Sequence, residues 1–349
     1  MHNFQKLPYI FILILLIIIS NVLLFSSSTE ANDSDKIINN NNIHGIEHSI
    51  EYHSPFNDDT EIKFTIYNKT EDPNKKQSNQ WQKSSKNNSL IFLLHGGRYI
   101  YGSKEDFDIY AKYLSNIGFT VVTLNYHLIP EELLPNINQS HFIKAFINSL
   151  GSLDAVIKYV IDNSNTLKID VNNKNLIVGG YSAGAITAIH YGYVNSKNDL
   201  DILLQSGIFN DLFDQEKSIL ERLMNKKYNV DGIINISGSI LTEHLIEKGE
   251  PSIISVHSIN DETVPYYSGN TDGSGIITNG SGAIYDKTKS IDVCNVLIKV
   301  NDNDHNLFAN GIETANCKDC RSKINLFLNN LNCEKKDKKK KKDKKKSNY

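Results

Sequence analysis

Hydrophobic residues in this chain come in two spacings. Unbroken apolar runs, SLIFLL (89–94), FTVVTL (119–124), NLIV (175–178), GIINIS (232–237), SIISVH (252–257) and VLIKV (296–300), have the length of strands buried on both faces. EIKFTIY (61–67) alternates instead, with Ile62, Phe64 and Ile66 on one side, as an edge strand does. Helical spacing appears between these runs. Phe107, Tyr110, Ala111, Leu114 and Ile117 mark a helix over 105–117, and a longer one from His141 to Asn163 carries Ile143 through Val160 on its apolar face. AGAITAIHYGY (183–193), a less regular stretch to about Tyr228 and a final segment from Cys320 to Leu331 complete the helical set. The alternation predicts one α/β domain with a mostly parallel central sheet and helices on both faces. Neither an internal repeat nor a second core is visible.

The flanks differ from this core. Residues 1–28 pair Lys6 with an apolar run over Tyr9–Ile19, and a polar SSST (26–29) follows Phe25, the pattern of a secretory signal peptide. Leu7–Phe25 also approaches the ~20 residues of a membrane span, so an uncleaved anchor is the rival. Both put the rest of the chain on the non-cytosolic side, secreted or lumenal. Residues 29–60 read as polar linker, 61–333 as the folded α/β domain and 334–349 as a solvated lysine-rich tail. The tail holds ten lysines and two aspartates at 335–346, net +8, so the chain's −3 leaves −11 for everything before it. An acidic body gives nucleic acid no binding face, and only the tail offers contact with an anionic surface. Cys294, Cys317, Cys320 and Cys333 are even in number and lie late in the chain, as two disulfides stapling the last strand and helix would require. CKDC (317–320) alone lacks the second ligand pair of a zinc site. Sequons at Asn32, Asn68, Asn87, Asn138, Asn235 and Asn279 suit glycosylation in that compartment.

In a parallel sheet the chemistry lies beyond the carboxyl ends of the strands. Gly180-Tyr181-Ser182-Ala183-Gly184, G-x-S-x-G, follows NLIV and opens a helix. A serine on a cramped strand-to-helix bend needs small neighbours two residues away, and the bend lifts its hydroxyl above the sheet. A glycine-rich turn without chemistry has the same letters, so further residues must decide. A hydroxyl attacks only when a base takes its proton and an acid orients that base. Asp261 stands four residues past SIISVH and His305 five past VLIKV, in the order serine, acid, histidine. His257 and His190 are weaker candidates for the base, and Glu262, Asp302 and Asp304 for the acid. LLHGGRYIYG (93–102) follows another strand, and the backbone N–H groups of Gly97, Arg98 and Ala183 are the expected oxyanion donors, with His95 bracing the loop. Tyr99, Tyr101, Tyr266 and Tyr267 flank these loops as candidate pocket residues, and 199–229 is a candidate lid.

Together HGG (95–97), GYSAG (180–184), GFTVVTLNYHLIPEELLP (118–135), SLDAVIKYV (152–160) and HSINDETVPYYSG (257–269) resemble the α/β-hydrolase superfamily, in its carboxylesterase and lipase branch that includes hormone-sensitive-lipase-like and acetyl esterases. The resemblance covers about Leu90 to Phe308. It implies a Ser182–Asp261–His305 triad, an acyl-enzyme, a small-molecule ester substrate and no metal or cofactor. Two features depart from the branch: Arg98 stands where a third glycine is common, and NDNDHNLF (301–308) lacks the glycines that usually precede the histidine. Amide or formamide hydrolysis by the same triad, and a non-catalytic binding protein on the same fold, are the alternatives.

Overall fold

The computed structural model describes residues 45–54, 59–68, 89–308 except 173 and 211, and 317–331. The signal-like segment, Asn32, Asn87, Cys333 and the lysine tail lie outside them.

The strands are β1 (Gly45–His53), β2 (Asp59–Tyr67), β3 (Ser89–Leu94), β4 (Thr120–Leu124), β5 (Asn175–Tyr181), β6 (Gly232–Ile236), β7 (Ser239–Ile240), β8 (Ser252–Ser258), β9 (Ser268–Asn270), β10 (Ile277–Gly280) and β11 (Asn295–Val300). The helices are α1 (Asp108–Asn116), α2 (Gln139–Asp162), α3 (Ala183–Tyr193), α4 (Lys197–Gln205), α5 (Asp214–Met224), α6 (Ser281–Ser290) and α7 (Cys320–Leu328). The main sheet runs β1-β2-β4-β3-β5-β6-β8-β11. From β4 to β11 every pairing is parallel, while β1 and β2 join antiparallel at one edge.

The continuous apolar runs divide their side chains between two cores. On β3, Leu90, Phe92 and Leu94 face the layer holding α2 and α3, and Ile91 and Leu93 face the layer holding α1 and α7. Such a strand has no solvent face and therefore no polar alternation. Burying a side chain the size of Phe92, which has no exposed surface, is worth about 1.5–3 kcal/mol.

Three sequence expectations need correction. The linker reading of 29–60 missed β1, whose alternation of Ile46, His48, Ile50 and Tyr52 against Glu47, Ser49 and Glu51 is that of an edge strand with one covered face. Tyr52 enters the core there, and its hydroxyl donates to the Asn148 carbonyl at 3.3 Å. A small second sheet, β7-β10-β9, was also missed, because strands of two to four residues carry too little periodicity to read. Finally, Cys317 and Cys320 are bonded to one another at the start of α7, so this bridge is local and does not tie strand to helix. Cys294 is disulfide-bonded as well. Among the sequons, Asn235 is fully buried with its amide engaged in the core, so the folded chain does not present it for glycosylation.

His190, deep in α3, fastens that helix to the small sheet. Its Nδ1–H donates to the Ile186 carbonyl at 2.7 Å, and its Nε2 accepts the Leu241 N–H at 3.0 Å. Burial pushes its pKa down to about 4, with the Ile186 bond opposing the shift. A histidine held neutral in the fold but titrating near 6.5 when unfolded stabilises fully above pH ~6.5, and that stability drains away as pH falls to about 4. The loss amounts to about 3 kcal/mol. Urea unfolding at pH 7, 5.5 and 4 is expected to show this drop in the wild type and a smaller one in His190→Gln.

Candidate active site

The strand-to-helix bend at the end of β5 is one of the tightest places in the molecule. Ser182 sits there at φ 52° and ψ −120°, a left-handed backbone that side chains rarely adopt. The Ile236 carbonyl of β6 receives its N–H at 2.9 Å, and its own carbonyl starts α3 by accepting from Ile186 at 2.9 Å. A Cβ on Gly180 would lie 2.5 Å from the Leu94 carbonyl oxygen, and one on Gly184 would lie 2.2 Å from the same atom and 2.4 Å from the His95 oxygen. The glycines therefore exist so that the helix start can press against the end of β3. That contact brings the loop after β3 alongside Ser182.

Two other strand ends supply the partners. Asp261 follows β8 and folds back on itself: its Oδ1 accepts the N–H groups of Thr263 and Val264, each at 2.9 Å. Its Oδ2 lies 2.7 Å from His305 Nδ1, and His305 Nε2 lies 2.9 Å from Ser182 Oγ. A carboxylate only accepts, so Nδ1 carries the proton and Nε2 is free to accept from the serine hydroxyl. Burial works to raise the Asp261 pKa, but hydrogen bonds from His257 and His305 outweigh it and hold the carboxyl well below the usual carboxylate range. The histidine loop manages without glycine because two hydroxyls pin it. Ser237 Oγ donates to the His305 carbonyl at 3.1 Å and Ser258 Oγ to the Asp304 carbonyl at 2.5 Å, from the ends of β6 and β8.

After β3 the loop turns through three positive φ values in a row, 110° at Gly97, 60° at Arg98 and 62° at Tyr99. The Gly97 carbonyl accepts from Ile100 and Tyr101 at 2.9 and 3.0 Å, closing the turn. Two non-glycine residues in this region are strained, and each is clamped by its side chain. The Arg98 guanidinium pairs with the Asp272 carboxylate and donates to the Asp272 carbonyl at 3.1 Å. The Tyr99 hydroxyl donates to the Ala183 carbonyl at 3.0 Å, directly behind the nucleophile. As the first residue of α3, Ala183 has no intrahelical acceptor for its N–H. His95 is buried against Tyr126, its Nδ1 2.7 Å from the Gly96 carbonyl, and takes no part at Ser182.

Beside Ser182 opens a cleft, partly open to solvent. Phe142, Ile143 and Phe146 of α2, Ile186 of α3, Ile208, Phe209, Leu241, Val264 and Ile276 make its walls largely apolar, while Arg98, Asp272 and a few hydroxyls add polar points. Of the tyrosines singled out from sequence only Tyr99 lines it; Tyr101 and Tyr267 are exposed and Tyr266 is buried elsewhere. Ile208 and Phe209 come from the stretch read as a lid. The structure brings together Ser182, Asp261 and His305 as read from the chain. Glu262, Asp302 and Asp304 do not reach the histidine's Nδ1, and His190 faces Leu241. The Arg98–Asp272 clamp was invisible in sequence, since nothing local relates positions 98 and 272.

A family described as BD-FAE matches residues 80–245. Comparison with curated proteins returns no match. Among solved structures, the chain is similar to esterase 2 of Thermogutta terrifontis phosphorylated by paraoxon, with 16% identity and a TM-score of 0.52 over 83% of this chain and 96% of that one. The propionate-bound form of that esterase aligns with 16% identity and a TM-score of 0.52, over 82% and 96% of the two chains. The form phosphoramylated by tabun gives the same identity and TM-score, over 83% and 97%. The chain has the α/β-hydrolase fold, and the BD-FAE match agrees with its resemblance to the carboxylesterase and lipase branch.

If the Gly184 contact is what seats α3, a single methyl group should unseat it. Gly184→Ala is expected to lower the urea midpoint by the equivalent of about 3 kcal/mol or to abolish soluble expression. Ala185→Gly, one residue on, is expected to cost only about 1 kcal/mol.

Proposed function

We propose that this protein is a serine carboxylic-ester hydrolase that works through an acyl-enzyme on small to medium acyl esters. The observation that carries this reading is the unbroken hydrogen-bonded line from Asp261 through His305 to a serine held in a strained turn, at 2.7 and 2.9 Å. Each link has one consequence for the chemistry. Asp261 keeps the imidazole proton on Nδ1, so Nε2 takes the Ser182 proton as Oγ attacks the ester carbonyl. The imidazolium that forms is stabilised by a carboxylate already coordinated by the Thr263 and Val264 amides. The carbonyl oxygen gains charge beside the N–H groups of Gly97, Arg98 and Ala183, at the positive end of α3. His305 then returns the proton to the leaving alcohol. Water, activated by the same nitrogen, releases the acid and restores Ser182.

The apolar walls beside Ser182 supply the preference for a hydrocarbon acyl group of small to medium size. A neighbour that binds propionate and is phosphorylated by paraoxon supports the same chemistry.

With p-nitrophenyl esters from acetate to palmitate, the wild type is expected to turn over short and medium chains and to fail on the longest. Ser182→Ala should lose about 10⁴-fold or more in kcat and all labelling by a fluorophosphonate probe, with unchanged circular dichroism. A variant that keeps wild-type turnover would remove Ser182 from the reaction. The oxyanion loop gives a separate expectation: Arg98→Ala should lower kcat about tenfold, because releasing the clamp lets the loop leave its left-handed turn.

A further inference from the structure

Behind Asp261, on the side away from Ser182, lies a set of polar side chains that the reaction above does not use: Asn235 on β6, Ser255 and His257 on β8, and Ser281 at the start of α6. His257, Asn235 and Ser281 have no exposed surface, and Ser255 is buried too. Four polar groups in a dry interior are costly unless every donor finds an acceptor, so their hydrogen bonds can be followed one by one.

The direction is set by a main-chain group. Gly238 N–H donates to Asn235 Oδ1 at 2.9 Å, and a backbone N–H can only donate, so this end of the amide is its oxygen. Asn235 Nδ2 then spends its two protons on Ser255 Oγ at 3.0 Å and Ser281 Oγ at 2.9 Å. Ser281, having accepted, has one proton of its own, and its remaining partner is His257 Nδ1 at 2.7 Å. Nδ1 is thereby an acceptor and carries no proton, which leaves the proton of a neutral imidazole on Nε2. That nitrogen lies 2.9 Å from the Val264 carbonyl and 3.4 Å from Asp261 Oδ2. A doubly protonated ring would leave the Ser281 hydroxyl proton without an acceptor among the described residues.

We propose that His257 is a positioning residue for the acid, locked as the neutral Nε2–H tautomer by the Gly238–Asn235–Ser281 hydrogen-bond chain, and that it holds the Asp261 carboxylate in the orientation His305 requires. The inference rests on the triad reading given above. Its reach is double. Val264 N–H holds Asp261 Oδ1 while the Val264 carbonyl is held by His257, so the turn 261–264 is gripped from both sides. The longer Nε2 contact to Oδ2 covers the one carboxylate oxygen that no main-chain amide of the described residues touches, and the His257 bond heads the influences that lower the Asp261 pKa. The cation that forms on His305 during catalysis therefore faces a carboxylate that neither rotates nor takes up a proton.

The test has one arm independent of activity. In ¹⁵N–¹H spectra of histidine-labelled protein, His257 is expected to be protonated on Nε2 alone, and Ser281→Ala to release that preference. A proton on Nδ1, or a charged ring at neutral pH, overturns the proposal. For activity, His257→Leu is expected to lower kcat for p-nitrophenyl butyrate about ten- to hundredfold, with KM within about threefold. His257→Gln, whose amide can accept from Ser281 and donate toward Val264, should recover most of that loss. Rates are taken per folded molecule, by circular dichroism. A folded His257→Leu with wild-type kcat, or a Gln variant as impaired as Leu, overturns the positioning role. Ser182→Ala run beside them separates the two levels. Residual turnover there defeats the triad reading, whereas a dead Ser182→Ala with an unimpaired His257→Leu defeats only this inference.

Discussion

Between the start of α3 and the carbonyls of Leu94 and His95 there is no room for a methyl group. That close approach is the constraint on which the site is built. It forces glycine at 180 and 184, bends the chain into the positive φ of Ser182 and brings the end of β3 against the end of β5. The loop after β3 then runs past Ser182, and Arg98 and Tyr99 line the same cleft as that serine. Strain at one serine is held by contacts spread over three strands and a helix, as a strained functional residue must be.

Electrostatics follow from the same geometry. Asp261 lies at a strand end deep enough to be shielded from water, where an unpaired carboxylate would be neutralised. Here its oxygens meet two main-chain amides and two imidazoles, and it stays charged. His305 gains an oriented proton, and Ser182 gains a base with a free lone pair. The histidine loop shows how such precision is reached without the usual glycines, because two serine hydroxyls from neighbouring strand ends hold its carbonyls.

What could be read along the chain was what repeats locally or follows a strand. The runs at 89–94, 119–124 and 252–257 announce themselves because strands covered on both faces must be apolar at every position. Ser182, Asp261 and His305 were legible because a parallel sheet puts reactive groups just beyond its carboxyl ends. β1 was legible in principle, since its alternation is present, but its asparagine-rich surroundings masked it. The clamp between Arg98 and Asp272, the wall made by Phe142, Ile186, Phe209 and Ile276, and the chain from Asn235 to His257 were not legible. Each joins positions from different elements, and no periodicity records which loops the fold will bring together.

This division has a mechanical basis. Ser182, Asp261 and His305 hang from β5, β8 and β11, which belong to one hydrogen-bonded sheet, so their spacing is set by strand separation and resists change. Much of the cleft wall comes from α2, from the connection between α4 and α5, and from the β9–β10 segment, none of which belongs to that sheet. A substitution at Phe146 or Ile276 can therefore reshape the cleft without moving His305 relative to Ser182. Arg98 and Asp272 stand at the junction of the two systems, since they line the cleft and also hold the loop after β3. On the proposed hydrolase reading, a change at either position acts on substrate fit and on turnover together, and selectivity and rate are physically coupled at this pair.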